Sequence, residues 1–349
     1  MMKKVYSDFI QFRGSHYEYG LMQGELLKDS YILPNRKKQW GSKPHHFIIN
    51  KNEFKHVIKE FAPRIWDEIH GLADALKWPL EDAIREFGGY YLEYGRSGCS
   101  IFTGEDYMIR NYDNHPHSYE GRYLLFQPKD HGYATIGPSM QITGRNDGLN
   151  EMGLVMGYNF INRIHSKDGF MCNMIGRIVL ENSATIDEAI HLLQELPHRH
   201  SFSYVLIDKS GKSVIVEASP RKVITRESNA CTNHFETLTE ENRYRMDESL
   251  QRENAIKNQG KSVANSFDAF RMMNDTNRGI FSSKYGAWAG TLHTASYHPK
   301  TLKAGFALGG DRKPILLDFN KWLAGENYHI TRLKGAIPSS SAFVNMVKL

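Results

Sequence analysis

The sequence predicts an α+β protein in which sheets are covered by layers of helices. Residues 1–98 have mainly helical patterning, whereas short strand patterns dominate from Ser100 onward and are interrupted by pairs of helices. Strand blocks that alternate with paired helices are typical of sheets packed against helical layers. The 349 residues are enough for two domains or for one large domain.

The first 98 residues are expected to be mainly helical because their apolar residues recur every three or four positions. This spacing runs through residues 53–78, where Pro63 is expected to kink the helix. A second, shorter helix is predicted over residues 80–87, directly after Pro79. The apolar positions of the longer pattern are Phe54, Val57, Ile58, Phe61, Ile65, Ile69, Leu72 and Leu76.

Three hairpins are predicted in the rest of the chain. Each consists of two short runs of strand-forming residues around a tight turn. The hairpins cover residues 101–112, 203–218 and 290–308. Two more strands, residues 123–127 and 133–136, are expected to flank residues 128–132 in the same way, and another strand is expected over 153–160. Helices are expected over 171–181, 185–196, 248–257 and 267–273.

Charge and cysteine content exclude several classes of protein. The formal charge of +5 comes from 44 basic and 39 acidic residues spread along the chain, so no nucleic-acid partner is expected. No apolar run approaches the roughly 20 residues that span a bilayer, and the N-terminus reaches Asp8 without an apolar segment. Three cysteines are too few for a disulfide scaffold and leave at least one free thiol. These features predict a cytoplasmic protein without a membrane partner.

Cofactor and metal motifs are missing from the sequence. No glycine-rich nucleotide-binding loop is present, and neither a C-x-x-C nor an H-E-x-x-H spacing occurs. The remaining candidates are a C-x-x-H spacing from Cys231 to His234 and two short histidine pairs, at positions 115 and 117 and at 198 and 200. Histidines of this kind are usually structural, so the sequence predicts no metal and no cofactor.

The sharpest chemical feature is Cys99, which follows Gly98 at the mouth of a predicted strand. Arg110 and Asp113 lie on the partner strand of the same hairpin. The arginine can lower the pKa of a nearby thiol, and the aspartate can orient an amine or the arginine itself. From spacing alone, a small buried cysteine beside a structural Arg/Asp pair is the favoured explanation of these residues.

Four segments, taken together, resemble the N-terminal-nucleophile (Ntn) cysteine hydrolases. The similarity is to the branch of acyl-coenzyme A:6-aminopenicillanate acyltransferases and, more distantly, to choloylglycine hydrolases, penicillin V acylases and acid ceramidase. Each segment alone is weak, but all four occur in the family's order across residues 98–235. The segments are Gly98-Cys99-Ser100; Arg110-Asn111-Tyr112-Asp113; Gly148 to Leu154 with Gly157-Tyr158-Asn159-Phe160; and Thr232-Asn233-His234-Phe235.

The resemblance implies a four-layer αββα sandwich and a self-processing precursor. Cleavage between Gly98 and Cys99 would separate a helical pro-segment or small subunit, residues 1–98, from a catalytic domain, residues 99–349. Cys99 would then be both the nucleophile and, through its α-amine, the general base, because the reference pKa of that amine is about 7.7–8.0. The two segments are expected to stay associated after the cut.

The resemblance also implies roles for further residues. Arg110 would hold the thiolate, Asp113 would orient the α-amine, and Asn159 and Asn233 would stabilise the oxyanion. For both asparagines, an ordinary hydrogen bond to the backbone is the alternative explanation. A second arginine is expected at the site, and Arg252 is preferred over Arg243 and Arg245, although an exposed arginine on a helix fits Arg252 equally well.

The sequence therefore predicts an amide hydrolase or acyltransferase that acts on a linear, non-peptide amide of a small molecule. Relatives in the family act on penicillins, bile-salt conjugates, N-acyl amino acids and lipid amides. One alternative is a protein of the same fold that binds a ligand or partner without turnover. Another is a conventional cysteine peptidase that uses Cys172 or Cys231 with a distant histidine.

Overall fold

The structure is a computed structural model that describes residues 2–40, 50–90, 98–162, 165–242, 246–286, 289–339 and 343. Within these ranges the chain forms two β-sheets and ten α-helices. The helices are α1 (His16–Lys28), α2 (Ile32–Trp40), α3 (Lys51–Phe61), α4 (Pro63–Leu76), α5 (Leu80–Phe87), α6 (Cys172–Asn182), α7 (Ile186–Glu195), α8 (Asp247–Gly260), α9 (Ser266–Asn274) and α10 (Phe319–Leu323). None of these helices is long and apolar enough to cross a membrane.

The larger sheet has ten strands. These are β1 (Met2–Gly14), β4 (Arg122–Pro128), β5 (Thr135–Met140), β6 (Gly144–Arg145), β7 (Asp147–Asn150), β8 (Val155–Asn162), β9 (Ser201–Ile207), β10 (Ser213–Ala218), β11 (Val223–Arg226) and β16 (Arg332–Pro338). Their order is β11-β10-β9-β8-β7-β5-β4-β1-β16, and β6 pairs with β5.

The smaller sheet has six strands. These are β2 (Ser100–Thr103), β3 (Met108–Asn114), β12 (Ala230–Cys231), β13 (Gly290–His298), β14 (Lys303–Leu308) and β15 (Ile315–Asp318). Their order is β12-β2-β3-β13-β14-β15. The three predicted hairpins are confirmed as β2–β3, β9–β10 and β13–β14.

The elements stack as four layers, α on β on β on α. Between the sheets, a buried core joins Ile101 and Tyr112 of the smaller sheet to Leu149 and Val205 of the larger one. On the outer side of the larger sheet, the apolar faces of α6 and α7 join a second core with residues of β8 to β10. On the outer side of the smaller sheet, residues of α8 and α9 pack on β2 and β3. The predicted αββα sandwich is confirmed.

The N-terminal segment is mainly helical, as predicted, but it begins with a strand that the sequence patterning missed. Strand β1 pairs in parallel with β4 and antiparallel with β16, so it lies within the larger sheet. Its side chains alternate in burial, with Val5, Ser7 and Phe9 facing inward. The segment 1–98 therefore shares a sheet with the rest of the chain.

The sequence patterning predicted that Pro63 kinks one long helix. In the structure Pro63 instead separates two helices. Helix α3 ends at Phe61, and Pro63 is the first residue of α4. Proline is tolerated there because the first-turn N–H groups have no intrahelical acceptor. The break lets both helices bury their apolar faces in the same core.

Helices α1 and α4 pack closely because glycines face each other where they cross. A Cβ atom on Gly20 would overlap the carbonyl oxygen of Glu68, and one on Gly71 would overlap that of Tyr17. Both neighbours are backbone atoms, so neither can move without shifting a helix. The close approach places Glu68 in the buried interior, where it is fully shielded from solvent.

We therefore expect Gly71→Ala to lower the free energy of unfolding by about 1–3 kcal/mol, as overpacked cores typically do. Urea unfolding of the intact chain measures the change. Glu25→Ala, on the exposed side of α1, is the control and should stay near wild type. Equal stabilities for the two variants would contradict the close-packing argument.

Candidate active site

Cys99 lies directly before β2 and is almost completely buried, with 1% of its surface exposed. The antiparallel register of β2 and β3 pairs Ile101 with Arg110, which brings the arginine beside the cysteine. Arg110 Nη2 lies 3.6 Å from Cys99 Sγ, and the thiol faces the backbone carbonyl of Asp113 at 3.9 Å. Gly98, on the other side of the predicted scissile bond, is also buried.

Arg110 is held from the larger sheet. It forms an ion pair with Asp147 on β7 and donates to the carbonyl oxygen of Tyr158 on β8 at 2.5 Å. Gly157 makes room for it, since a Cβ there would come within 3.0 Å of Arg110 Cδ. Asp147 also accepts a hydrogen bond from the Tyr297 hydroxyl. The arginine therefore reaches the thiol from a fixed position.

Asp147 was missed by the sequence analysis. The one sequence feature that could have indicated it is its position, directly before the glycine-containing segment that starts at Gly148. Burial raises the pKa of Asp147, but Arg110 and His293 more than offset this, so that the pKa lies below its ordinary value. Burial lowers the pKa of Arg110, but Cys99, when it is ionised, and Asp147 raise it above its ordinary value. Both partners are therefore charged.

The thiol itself is kept neutral in the intact chain. Burial raises the pKa of Cys99, and the positive charge of Arg110 offsets only part of that rise. The expected lowering of the pKa by Arg110 is present but smaller than the effect of burial.

Asp113 lies at the end of the same hairpin and is also buried. Its carboxylate accepts a hydrogen bond from the Thr291 hydroxyl at 2.6 Å and lies 3.9 Å from Arg252. Burial raises the pKa of Asp113 to about 7, although Arg252, Thr291 and Arg110 each lower it. This carboxyl can therefore gain or lose a proton near neutral pH.

Arg252 reaches the site from α8. Its Nη1 donates to the Cys99 carbonyl and to the Ser100 hydroxyl, each at 2.8 Å, and its Nη2 donates to Asn233 Oδ1 at 2.8 Å. The other two candidates, Arg243 and Arg245, lie outside the described residues. Among the described residues the structure thus brings the preferred arginine to the cysteine.

The two candidate oxyanion asparagines differ in their surroundings. Asn233 donates to the Phe160 carbonyl at 2.7 Å and is tied to Arg252, beside the start of β2. Asn159 donates to the Cys231 carbonyl at 2.9 Å, and its Oδ1 has no hydrogen-bond partner in the described part of the chain. Each side-chain amide has a second N–H beyond these bonds. Asn233 contacts Arg252, whereas the hydrogen bond of Asn159 goes to β12 of the smaller sheet.

The other two thiols lie in less favourable surroundings for a nucleophile. Burial raises the pKa of Cys231 to about 12, and that of Cys172 well above its ordinary value. Neither environment activates a thiol, which weakens the case for a conventional cysteine peptidase that uses them.

One group in the described part of the chain has the composition of a metal site. His234, Glu236 and Glu253 place their ligand-type atoms within 4.8 Å of one another. Lys257 lies 3.3–3.4 Å from both carboxylates, and Arg226 lies 3.0 Å from Glu236. The protein's own cations thus neutralise these acids, and ion pairing accounts for the cluster.

Comparison with known proteins gives one family and several distant structural neighbours. The conjugated bile acid hydrolase of Clostridium perfringens is 13% identical, with a TM-score of 0.47, over 65% of this chain and 93% of that one. Penicillin V acylase of Agrobacterium tumefaciens is 15% identical, with a TM-score of 0.40, over 64% and 86%. An N-acylethanolamine-hydrolyzing acid amidase orthologue of Caenorhabditis elegans is 11% identical, with a TM-score of 0.40, over 58% and 93%. No curated protein matches by sequence.

The family match is more extensive than these likenesses. It covers residues 102–313, more than half of the chain, and includes Arg110, Asp113, Asn233 and Arg252 but begins just after Cys99. The chain belongs to the acyl-coenzyme A:6-aminopenicillanic acid acyl-transferase family.

Proposed function

We propose that this protein is a self-processing cysteine amidohydrolase or acyltransferase whose nucleophile is Cys99. The observation that carries the proposal is the contact of Cys99 Sγ with Arg110 Nη2 at 3.6 Å. Arg252 and Asp113 lie beside the same residue. The substrate class is a linear, non-peptide amide or acyl donor of a small molecule, as the family membership favours.

Self-processing begins with attack of the Cys99 thiol on the Gly98 carbonyl carbon. The peptide C–N bond breaks, its nitrogen takes a proton and becomes the Cys99 α-amine, and a thioester joins Gly98 to Sγ. Water then hydrolyses the thioester and releases the Gly98 carboxylate and the free thiol. Arg252 supports this step by holding the carbonyl of Cys99, which fixes the backbone on one side of the scissile bond.

After cleavage, one residue supplies both nucleophile and base. The new α-amine, with a reference pKa of about 7.7–8.0, takes the thiol proton as Sγ attacks the substrate carbonyl. In this proposal Asp113 accepts a hydrogen bond from the amine and orients it, and Arg110 stabilises the thiolate. Water releases the acyl group in hydrolysis, and an amine takes it up in acyl transfer.

The developing oxyanion needs hydrogen-bond donors that are already in place. Asn233 is the better placed candidate because Arg252 and Phe160 fix both ends of its side-chain amide, which leaves one N–H to donate. Asn159 is proposed for the same role, through the second N–H of its own amide.

We also propose that the two segments remain associated after the cut. Strand β1 keeps its hydrogen bonds to β4 and β16, and buried ion pairs cross between the segments. Glu68 bonds Arg177 at 2.7 Å, and His16 bonds Asp130 at 2.8 Å and Glu181 at 3.2 Å.

We propose the cytoplasm as the location of this protein. All three cysteines are free thiols, which fits a reducing compartment.

The purified protein is therefore expected to consist of two chains that elute together. Intact-mass measurement should give fragments of roughly 11 and 29 kDa from the 40.1 kDa chain, divided between Gly98 and Cys99. Cys99→Ala should remain one chain, whereas Cys172→Ala, the control, should be cut normally. A wild-type chain that stays intact after long incubation would overturn self-processing.

Asn233→Ala should lower turnover by about 10²–10³ while leaving the thiol reactive, because one oxyanion donor is lost. Turnover is measured on a panel of penicillin V, N-acyl amino acids and bile-salt conjugates, and thiol reactivity by iodoacetamide labelling of Cys99. Asn320→Ala, at an exposed position of α10, is the control. A parallel loss of melting temperature and turnover would instead identify Asn233 as structural.

The raised pKa of Asp113 predicts a pH-dependent stability. With a pKa of about 7 in the folded chain against 3.8 in the unfolded one, the folded state alone holds this proton between those values. The contribution of Asp113 to the free energy of unfolding is thus largest below pH 4 and is lost as the pH rises through 7. Asp113→Asn lacks this titration.

The test compares the uncleaved Cys99→Ala variant with the double variant Cys99→Ala/Asp113→Asn. As the pH rises from 4 to 7, the melting temperature of the single variant should fall relative to that of the double variant. The difference should level off above that range. Asp106→Asn, an exposed control, should show no such trend. A constant difference across this range would refute the raised pKa.

A further inference from the structure

His234 belongs to the Thr232 to Phe235 segment but has no role in the mechanism above. Its imidazole is buried, with 5% of the residue exposed, and it contacts α8 through both nitrogens. Nδ1 lies 2.8 Å from the Ser249 hydroxyl, and Nε2 lies 3.1 Å from Glu253 Oε2. The ring thus bridges two side chains one helical turn apart.

The bridge spans the turn of α8 that carries Arg252. Residues three and four positions apart share one face of a helix, so Ser249, Arg252 and Glu253 point to the same side. Ser249 and Glu253 bond the imidazole, and Arg252 reaches past it to Asn233 at 2.8 Å. The orientation of this face determines where the guanidinium lies.

The same bridge also fixes the backbone of Asn233. The Ser249 hydroxyl oxygen accepts the Asn233 N–H at 2.7 Å, next to its contact with the imidazole. Its one proton goes either to His234 Nδ1 or to the Thr232 hydroxyl at 3.0 Å. In both arrangements the serine oxygen still accepts from Asn233, so loop and helix remain joined.

The charges around the imidazole allow its removal without leaving an isolated buried charge. Glu253 also faces Lys257 at 3.3 Å, and Glu236 has Arg226 and Lys257 as partners. A variant that lacks the imidazole therefore still has a cation beside each carboxylate, and it can be tested as a folded protein.

We propose that His234 is a positioning residue that joins the Asn233 loop to one face of α8 and thereby sets the contact between Arg252 and Asn233. Its effect on the reaction rests on the proposed function of this site. Its effect on the position of Arg252 does not depend on that function.

The test compares substitutions at two equally buried histidines. His234→Phe keeps the size of the ring but loses both hydrogen bonds, and His234→Gln keeps a polar group. His198, whose imidazole bonds the Leu193 carbonyl of α7 and contacts the Tyr204 ring, is the control with the same two substitutions. The measurements are the rate of Gly98–Cys99 cleavage, the melting temperature and the crystal structure of each variant.

We expect His234→Phe to slow cleavage by about 100-fold, since displacement of positioned groups by 1 Å can cost this much. His234→Gln should recover part of the rate, whereas both His198 variants should cleave like wild type even if their melting temperatures fall as far. Ser249→Ala, which keeps the contact between His234 and Glu253, should also slow cleavage. Wild-type rates in His234→Phe or Ser249→Ala would overturn the proposal.

The crystal structures separate this proposal from the proposed function. In His234→Phe the contact between Arg252 Nη2 and Asn233 Oδ1 should be lost or lengthened. If it stays at 2.8 Å, the positioning role is wrong, whatever the rates. If the wild-type chain is never cut but Arg252 moves in the variant, the positioning role stands and the self-processing function fails.

Discussion

The ion pair between Arg110 and Asp147 is the interaction on which the geometry of the site depends. The two residues come from different sheets, β3 and β7, and neither exposes any surface to solvent. Burying two charges costs several kcal/mol each unless their attraction and further hydrogen bonds compensate, and here Tyr158 and Tyr297 supply those bonds. Removing one partner of a buried ion pair typically lowers the free energy of unfolding by about 3–5 kcal/mol. The pair therefore links the packing of the two sheets to the position of the arginine.

This linkage also sets the electrostatic surroundings of Cys99, because Arg110 lies 3.6 Å from its thiol. Burial between the sheets raises the pKa of the Cys99 thiol, and the positive charge of the arginine offsets only part of that rise. Cleavage before Cys99 would add an amine to this space and open the chain on one side. Burial thus raises the pKa of the thiol, and Arg110 opposes this effect from a fixed position.

The N-terminal segment is part of this framework. Its first strand lies between β4 and β16 in the larger sheet, and its buried carboxylate at Glu68 pairs with Arg177 on α6. Removing the segment would expose a sheet edge and leave a buried arginine with one fewer partner. A cut between Gly98 and Cys99 therefore changes the connectivity of the chain far more than it changes the packing.

Much of the fold and part of the site follow from the sequence because they depend on contacts between near neighbours. The hairpin that joins Cys99 to Arg110 is specified by two short strand patterns around a tight turn, and its register brings the two side chains together. The helices α6, α7, α8 and α9 were predicted for the same reason, whereas the four-layer αββα arrangement was implied by the family resemblance. Tertiary structure decided what depends on distant segments: that the first residues form a strand, that Asp147 pairs with Arg110, and that α8 brings Arg252 to Asn233. A buried charge is placed by the partner that compensates it, and in this protein the partner lies on another sheet or helix that no local pattern identifies.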